Sequence, residues 1–469
     1  MPHLSVPQVL MLDHLTSAFA RGWLRKLNLS TVISGFLRSR MVLLFLTAFL
    51  PIVLCGQSYD ILIKNGQLVD AKNDIDGIYD VAISGNRIAA VEKDIDVDQA
   101  RLVIDGSGLF VTPGLIDIHA HLFWGTSDGD YLANSYSALP PDGFTLQHGV
   151  TTAVDAGGSG WRNFEDFKRQ TIDKSKTRVK AFINIVGHGM SGDPDEQDVN
   201  DMDARLTAMK VYEFPDDIVG VKLAHFKGPD WVPVHRATEA GRWADIPVMV
   251  DFGRSVPSLS IENLFLNELR SGDIFTHCFA EASGRESIVD ESGKLKPFVM
   301  EAIEGGIIMD VGHGAGSFRW SQAVPALAQG MQPQTISTDL HTGSMNGGMK
   351  NQLNIMSKFL NLGMSMEEVI KASTWKPAQV VKISKELGHL SAGALADVAV
   401  LRKQEGEFGY LDVANTRFDG RYKLVCELTI LDGDVVWDLN GISKQAWDEA
   451  EVPEARGRPD VQPFINPQK

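Results

Sequence analysis

The sequence predicts an α/β protein: a (β/α)₈ TIM-like barrel carrying a small β-sandwich domain built from both ends of the mature chain. Three observations predict it. Eight apolar, β-branched runs recur through the middle of the 469-residue chain, most of them separated by helical patterns. Strand-rich blocks punctuated by glycine and asparagine lie on either side of that middle. Nearly every one of the eight runs ends in a polar or ionisable residue, the pattern expected where strand C-termini share one chemical face.

Residues 1–56 read as a leader. FLRSRMVLLFLTAFLPIVLCGQ (36–57) sets basic residues before an apolar run of about 14. That suits a secretory signal and falls short of the ~20 residues of a membrane span. The segment near 41–56 therefore predicts a periplasmic or secreted protein with no stable membrane partner after its removal. Leu54 is bulkier than the small residue expected before a lipidated Cys55.

Residues 57–112 form the first part of the β domain, with strands in YDILIKNGQLVD, YDVAISGNRIAAVE and RLVIDGSGLFVTPG. The same texture returns over 388–441, in ADVAVLRK and YKLVCELTILDGDVVWDLNG, before a tail at 442–469. Between them, 113–387 read as the barrel. Its eight runs are GLIDIHAH (114–121), GVTTAVDAG (149–157), KAFINIVGH (180–188), IVGVKLAH (218–225), IPVMVDFG (246–253), DIFTHCFA (273–280), GIIMDVGHG (306–314) and TISTDLH (335–341). MDARLTAMKVYEF, IENLFLNELRSG and LKPFVMEAIEGG carry the helical period between some of them.

Bulk composition narrows the function. A net charge of −16 argues against nucleic acid as a partner, since phosphate binding wants a basic face. The three cysteines, Cys55, Cys278 and Cys426, form neither a zinc-ribbon spacing nor a disulfide framework. A small molecule is the expected partner, and a homo-oligomer is compatible with the composition.

The run ends carry the chemistry. His119 and His121 lie one residue apart, so on a strand their rings share a face. The other ends supply Asp155, His188, Lys222 with His225, Asp251, His277, His313, and Asp339 with His341. Seven of the 12 histidines thus fall at strand ends, which points to one convergent site. Imidazoles and carboxylates in a ring can hold divalent metal, zinc above all. Such a metal activates water near neutral pH, and Asp339 could both ligate and take the proton from that water. Lys222 is costly to bury unless neutralised. A salt bridge to Asp251 or Asp339 would serve, as would conversion by CO₂ to a carbamate that bridges two metals.

VTPGLIDIHAH, the lysine in VGVKLAH, FTHCF, DVGHGAGSF and STDLH, with the later STWKPAQVVKISKELGHLSAGALADVAVL, resemble the amidohydrolase superfamily, in particular its dihydroorotase-like and D-aminoacylase-like deacetylase branch. The resemblance runs from about Tyr59 to Gly441. It implies a barrel with a split β-sandwich, a binuclear centre of two Zn²⁺ (Mn²⁺ as the alternative), and hydrolysis of an amide or ester. By that resemblance His119 and His121 are first-strand ligands, Lys222 is the carbamylated bridge, His277 is the sixth-strand ligand, and Asp339 is ligand and general base. The fifth-strand position departs from the pattern: Asp251 stands where histidine is usual, which makes the second metal position more anionic and shorter in reach. A mononuclear site of His119, His121 and Asp339 is the fallback.

His188, His225, His313 and His341 have no clean ligand role and read as substrate contacts or as hydrogen-bond partners behind the ligands. Arg254, just past the fifth strand, is placed to pair with a substrate carboxylate. The expected substrate is a small acylated or cyclic-amide compound. Two other readings stand beside this one: a secreted ligand-binding relative without turnover, and a mononuclear deaminase-like enzyme.

Overall fold

The computed structural model describes residues 58–124, 137–192, 194–251 and 255–449. These belong to one compact unit that begins at Gly56. The leader expected over 1–56, Arg254 and most of the tail expected over 442–469 lie outside the described residues. Among the described residues no helix is long and apolar enough to cross a membrane.

The chain opens with β1 (Tyr59–Asp70), β2 (Ile75–Ser84) and β3 (Arg87–Glu92), an antiparallel meander, followed by β4 (Ala100–Asp105) and β5 (Phe110–Pro113), both parallel to β1. Apolar residues alternate along these strands, so Ile61 and Ile63, or Val81 and Ile83, fall on one face. Near the other end, β13 (Val398–Leu411), β14 (Arg417–Leu431) and β15 (Asp434–Asp438) form a second meander. β13 pairs antiparallel with β5, from Val398 opposite Pro113 to Leu401 opposite Phe110. The two ends thus form one eight-stranded sheet, folded over a core that adds Val398, Val400, Leu428 and Ile430 to the N-terminal set.

Between these halves runs a parallel sheet in sequence order: β6 (Leu115–Ala120), β7 (Val150–Gly160), β8 (Arg178–Asn184), β9 (Ile218–Leu223), β10 (Val248–Val250), β11 (Ile274–Phe275) and β12 (Ile308–Met309). Its interior is filled by Ile116, Val154, Phe182, Val219, Met249, Ile274 and Ile308, all buried. The eighth run, TISTDLH, is no continuous strand. It closes the ring through single parallel bridges, Thr335 to Asp310 and Leu340 to Ala120. The reason is local: Asp339 has φ +51, which breaks the pleat, and Thr338 and Ser337 are engaged with the carboxylates of Asp117 and Asp310. The fifth to seventh runs likewise leave the sheet before their polar ends, with His277 and Gly312 at φ +58 and +45.

Helices clothe the barrel, including one within the predicted MDARLTAMKVYEF and one, Val232–Ala244, outside the patterns named from the sequence. Ala204–Glu213 starts at Asp203, whose carboxylate accepts from the Leu206 amide. Val232–Ala244 buries Val234, Ala237, Thr238 and Gly241, one stripe at helical spacing. IENLFLNELRSG departs from a regular helix: a single turn at Ile261–Asn263 widens into a π-type turn over Leu264–Glu268.

Candidate metal centre

The C-terminal ends of the barrel strands enclose a cavity of about 120 Å³. It is lined by His119, His121, Lys222, His225, Asp251, His277, Asp339 and His341, together with Ser137 and Met190. Eight residues named from the sequence therefore meet in one place, although they come from five separate parts of the chain.

His119 ends β6 with its ring fully enclosed. Its Nδ1 lies 2.8 Å from Thr276 Oγ1, and Thr276 in turn donates to Asp310. Nε2 is left facing the cavity, 3.6 Å from Asp339 Oδ1 and 3.3 Å from Lys222 Nζ. Burial, and then the charge of Lys222, push the His119 imidazole down to about 3, so the ring is neutral and its Nε2 lone pair is available. His277 makes the same choice of tautomer: Nδ1 is 2.6 Å from the Gly312 carbonyl, which only accepts, and Nε2 faces inward. His121 Nε2 lies 2.9 Å from Asp339 Oδ1, while its buried Nδ1 has no hydrogen-bond partner among the described residues.

Burial opposes ionisation of Asp339, but His119, His121 and His277 outweigh it and hold the carboxyl well below the usual range. The same balance holds Asp251 low: burial is outweighed first by His277, then by His225 and Lys222. Asp251 Oδ1 also accepts from Arg285 Nη1 at 3.1 Å. Lys222 is completely buried, and burial pushes its amine down. Its neighbours are His119 Nε2 and, at 3.5 Å, Met249 Sδ. No ion pair of Lys222 within 4.0 Å exists among the described residues, so the salt bridge to Asp251 or Asp339 weighed above is not formed.

The donor set fits a divalent cation. His119, His277 and Asp339 each offer a ligand atom, all three within 4.8 Å of one another, and all three residues are buried. Carboxylates held low, imidazole Nε2 atoms facing the cavity and an orphaned buried nitrogen are the groups such an ion would satisfy.

Two of the residues named as substrate contacts are elsewhere. His188 is exposed on the surface, because the chain turns at Val186–Gly189 just beyond β8 and swings the ring outward. Met190 lines the cavity in its place. His313 is buried behind the site, stacked on Phe318 at 4.6 Å with Nε2 against Lys358 Nζ. The left-handed backbone of Gly312 and Gly314 on either side turns it away from the cavity. Asp155, at the second strand end, accepts from the Leu122, Phe123 and Gly158 amides and so holds the loop after His121. Glu196, Thr276, Arg285 and Asp310, all in contact with the lining residues, were not named as site residues from the sequence.

Comparison with known proteins agrees with this architecture. Residues 320–436 match the model of the amidohydrolase family. A deacetylase of Brucella anthropi is 32% identical over 72% of this chain and 84% of its own length. Among solved structures, an adenine deaminase aligns with a TM-score of 0.71 at 29% identity, covering 81% of this chain and 100% of its own. A dihydroorotase aligns with a TM-score of 0.69 at 29% identity, covering 81% and 99%. With the barrel, the attached sheet and the ring of strand-end histidines and carboxylates in view, the chain belongs to the amidohydrolase superfamily, as a dihydroorotase-like member and a metal-dependent hydrolase of C–N bonds other than peptide bonds.

Proposed function

We propose that this enzyme hydrolyses an amide bond of a small acylated or cyclic-amide substrate, with two divalent ions, Zn²⁺ or Mn²⁺, held by His119, His121, Lys222, Asp251, His277 and Asp339. The observation that carries the reading is the approach of His119, His277 and Asp339 within 4.8 Å of one another in the strand-end cavity. When bound, the ions supply Lewis acidity toward water and toward the acyl carbonyl.

The chain's own groups do the rest. Lys222, as a carbamate, would offer anionic oxygen to the ions; its burial with no ion pair within 4.0 Å among the described residues supports this, since the neutral amine is the form that takes up CO₂. Asp339 Oδ1 is engaged with His121, and its Oδ2 lies 4.0 Å from His341 Nε2. Asp339 takes the proton from the attacking water and returns it to the leaving nitrogen. His225 and His341 stand on the cavity wall. The cavity's modest size favours a small acyl group. Residues 41–56 direct the enzyme to the periplasm or outside the cell.

The test is a hydrolysis panel of N-acyl amino acids, cyclic amides and imides, and acylated hydroxy acids, after loading with Zn²⁺ or Mn²⁺ and after chelation. Adenine is included because an adenine deaminase is among the similar structures. Turnover of a panel amide that disappears on chelation and returns with metal supports the reading. Turnover that is indifferent to chelation refutes it, and preference for adenine replaces hydrolysis of the amide with deamination.

A further inference from the structure

We infer that His225 is a metal-holding residue. Its Nε2 completes a second cation position with His277 Nε2 and Asp251 Oδ2, and Glu196 fixes it there. The inference rests on the proposed function only in taking the centre to bind divalent metal.

His225 follows β9 on left-handed backbone, φ +58, which turns its ring off the strand and onto the cavity wall. Its Nδ1 lies 2.7 Å from Glu196 Oε2. Glu196 is buried and its other oxygen accepts from the Gly192 amide, so the carboxylate is itself held in place. A carboxylate only accepts, so Nδ1 carries the proton and, in a neutral ring, Nε2 carries the lone pair. Nε2 faces Asp251 Oδ2 at 3.4 Å. His277 does the same from the other side: Nδ1 is committed to the Gly312 carbonyl, and Nε2 faces the same Asp251 oxygen at 3.3 Å.

Two imidazole nitrogens that converge on one carboxylate oxygen, at 3.4 and 3.3 Å, form a three-atom donor set that a single cation can share. Arg285 does not fill that role. It is bound to the opposite oxygen, Asp251 Oδ1, and to the Thr276 and His277 carbonyls. One proton would satisfy one nitrogen–oxygen contact and leave the other. A single divalent ion satisfies both. A buried carboxylate behind the distal imidazole nitrogen is also the arrangement that orients histidine ligands generally. The chain thus lacks an imidazole at the fifth strand end, where Asp251 stands, and presents one from three residues beyond Lys222. With 44% of the His225 side chain still open to solvent, this position should empty more readily than the one around His119.

The experiment is metal counting on the full chain, by elemental analysis after dialysis and by Co²⁺ titration read in the visible absorption. Wild type is expected to bind two ions in two phases. His225→Ala and His225→Asn are expected to keep the tighter ion and lose the weaker phase; retention of the tighter ion shows that the fold survives. Glu196→Gln, which leaves His225 in place, is expected to weaken the second phase by about 10–100-fold. Two ions of wild-type affinity in the His225 variants overturn the inference and leave the proposed function intact; a wild type that binds a single ion overturns the inference and the second ion of the proposed function, and leaves hydrolysis by one metal standing. A wild type that binds no ion overturns the metal reading of the centre as a whole.

Discussion

His121 and Asp339 stand 218 positions apart in the chain, yet His121 Nε2 lies 2.9 Å from Asp339 Oδ1. The contact spans the barrel seam, where the Asp339 amide donates to the His119 carbonyl and the His121 amide donates to the Leu340 carbonyl at 2.9 Å. The first and last runs are therefore tied by backbone on both sides of the two acidic and basic side chains that face the cavity. The geometry of the site is a consequence of closing the ring.

Asp339→Asn keeps the size of the side chain and removes its capacity to take a proton. Hydrolysis of the best panel substrate is expected to fall by about 10²–10⁴-fold. Steady-state rates on metal-loaded enzyme check this, and a variant with the wild-type rate would remove Asp339 from the mechanism.

The loop GHGAGS offers a paired test of backbone fit. Gly314 has φ +52, and a Cβ there would stand 2.0 Å from Asp339 Oδ2. Gly314→Ala is expected to displace that carboxylate, with at least a tenfold loss of metal affinity and a stability cost of order 1–3 kcal/mol. Two residues on, Gly316 has nothing within 4 Å of an added Cβ. Gly316→Ala is expected to match wild type in both metal affinity and melting temperature, so equal effects at the two positions would refute the argument.

Lys222→Met replaces a fully buried amine with an apolar side chain of similar length. Hydrolysis is expected to vanish. The metal-free variant is expected to unfold at higher denaturant than the metal-free wild type, by on the order of 1–3 kcal/mol, because burial of Lys222 outweighs the pull of Asp251, Asp339, Asp310 and Asp155, and among the described residues none of these carboxylates comes within 4.0 Å of its amine. A destabilised metal-free variant would mean that the amine is compensated by interactions other than those described.

Lys358 gives a pH signature away from the cavity. It sits against His313 Nε2, donates to the Gly348 and Leu411 carbonyls, and lies over the Phe318 and Trp320 rings. Burial, opposed by the charge of Asp412, pushes its amine from 10.5 down to about 7. Between those values the unfolded chain holds a proton that the folded chain has lost. The Lys358 contribution to stability therefore improves as pH rises through that window, by at most about 1.4 kcal/mol per pH unit, and is worst below about pH 7. Lys358→Met should flatten this slope. Denaturant midpoints at about pH 6 and about pH 9 check it: wild type gains on the variant at the higher pH, and parallel curves would refute the shift.

Some of the molecule was legible in its sequence because the responsible physics is local. The continuous apolar run IPVMV, or the helical period of MDARLTAMKVYEF, is written in one stretch of chain; burial of the strand on both faces and of the helix on one follows from it. The barrel rule then carries every strand-end residue to a common rim, which is how His119, Lys222, His277 and Asp339 could be named together. Where the rule failed, backbone sign was the cause: at His188 and His313 a turn or a pair of positive-φ glycines reverses the ring, and strand alternation no longer predicts its direction.

By itself, then, the sequence determined the class of fold, the pairing of the two terminal blocks into one sheet and the chemical character of the rim, since periodicity and residue type act over a few neighbouring positions. Only the tertiary structure decided which imidazoles reach the cavity, that Glu196 and Arg285 stand behind His225 and Asp251, and that Lys222 is buried with no carboxylate of the described residues within 4.0 Å. Those outcomes depend on distances between segments remote in the chain and on the hand of single backbone residues, neither of which a local pattern encodes.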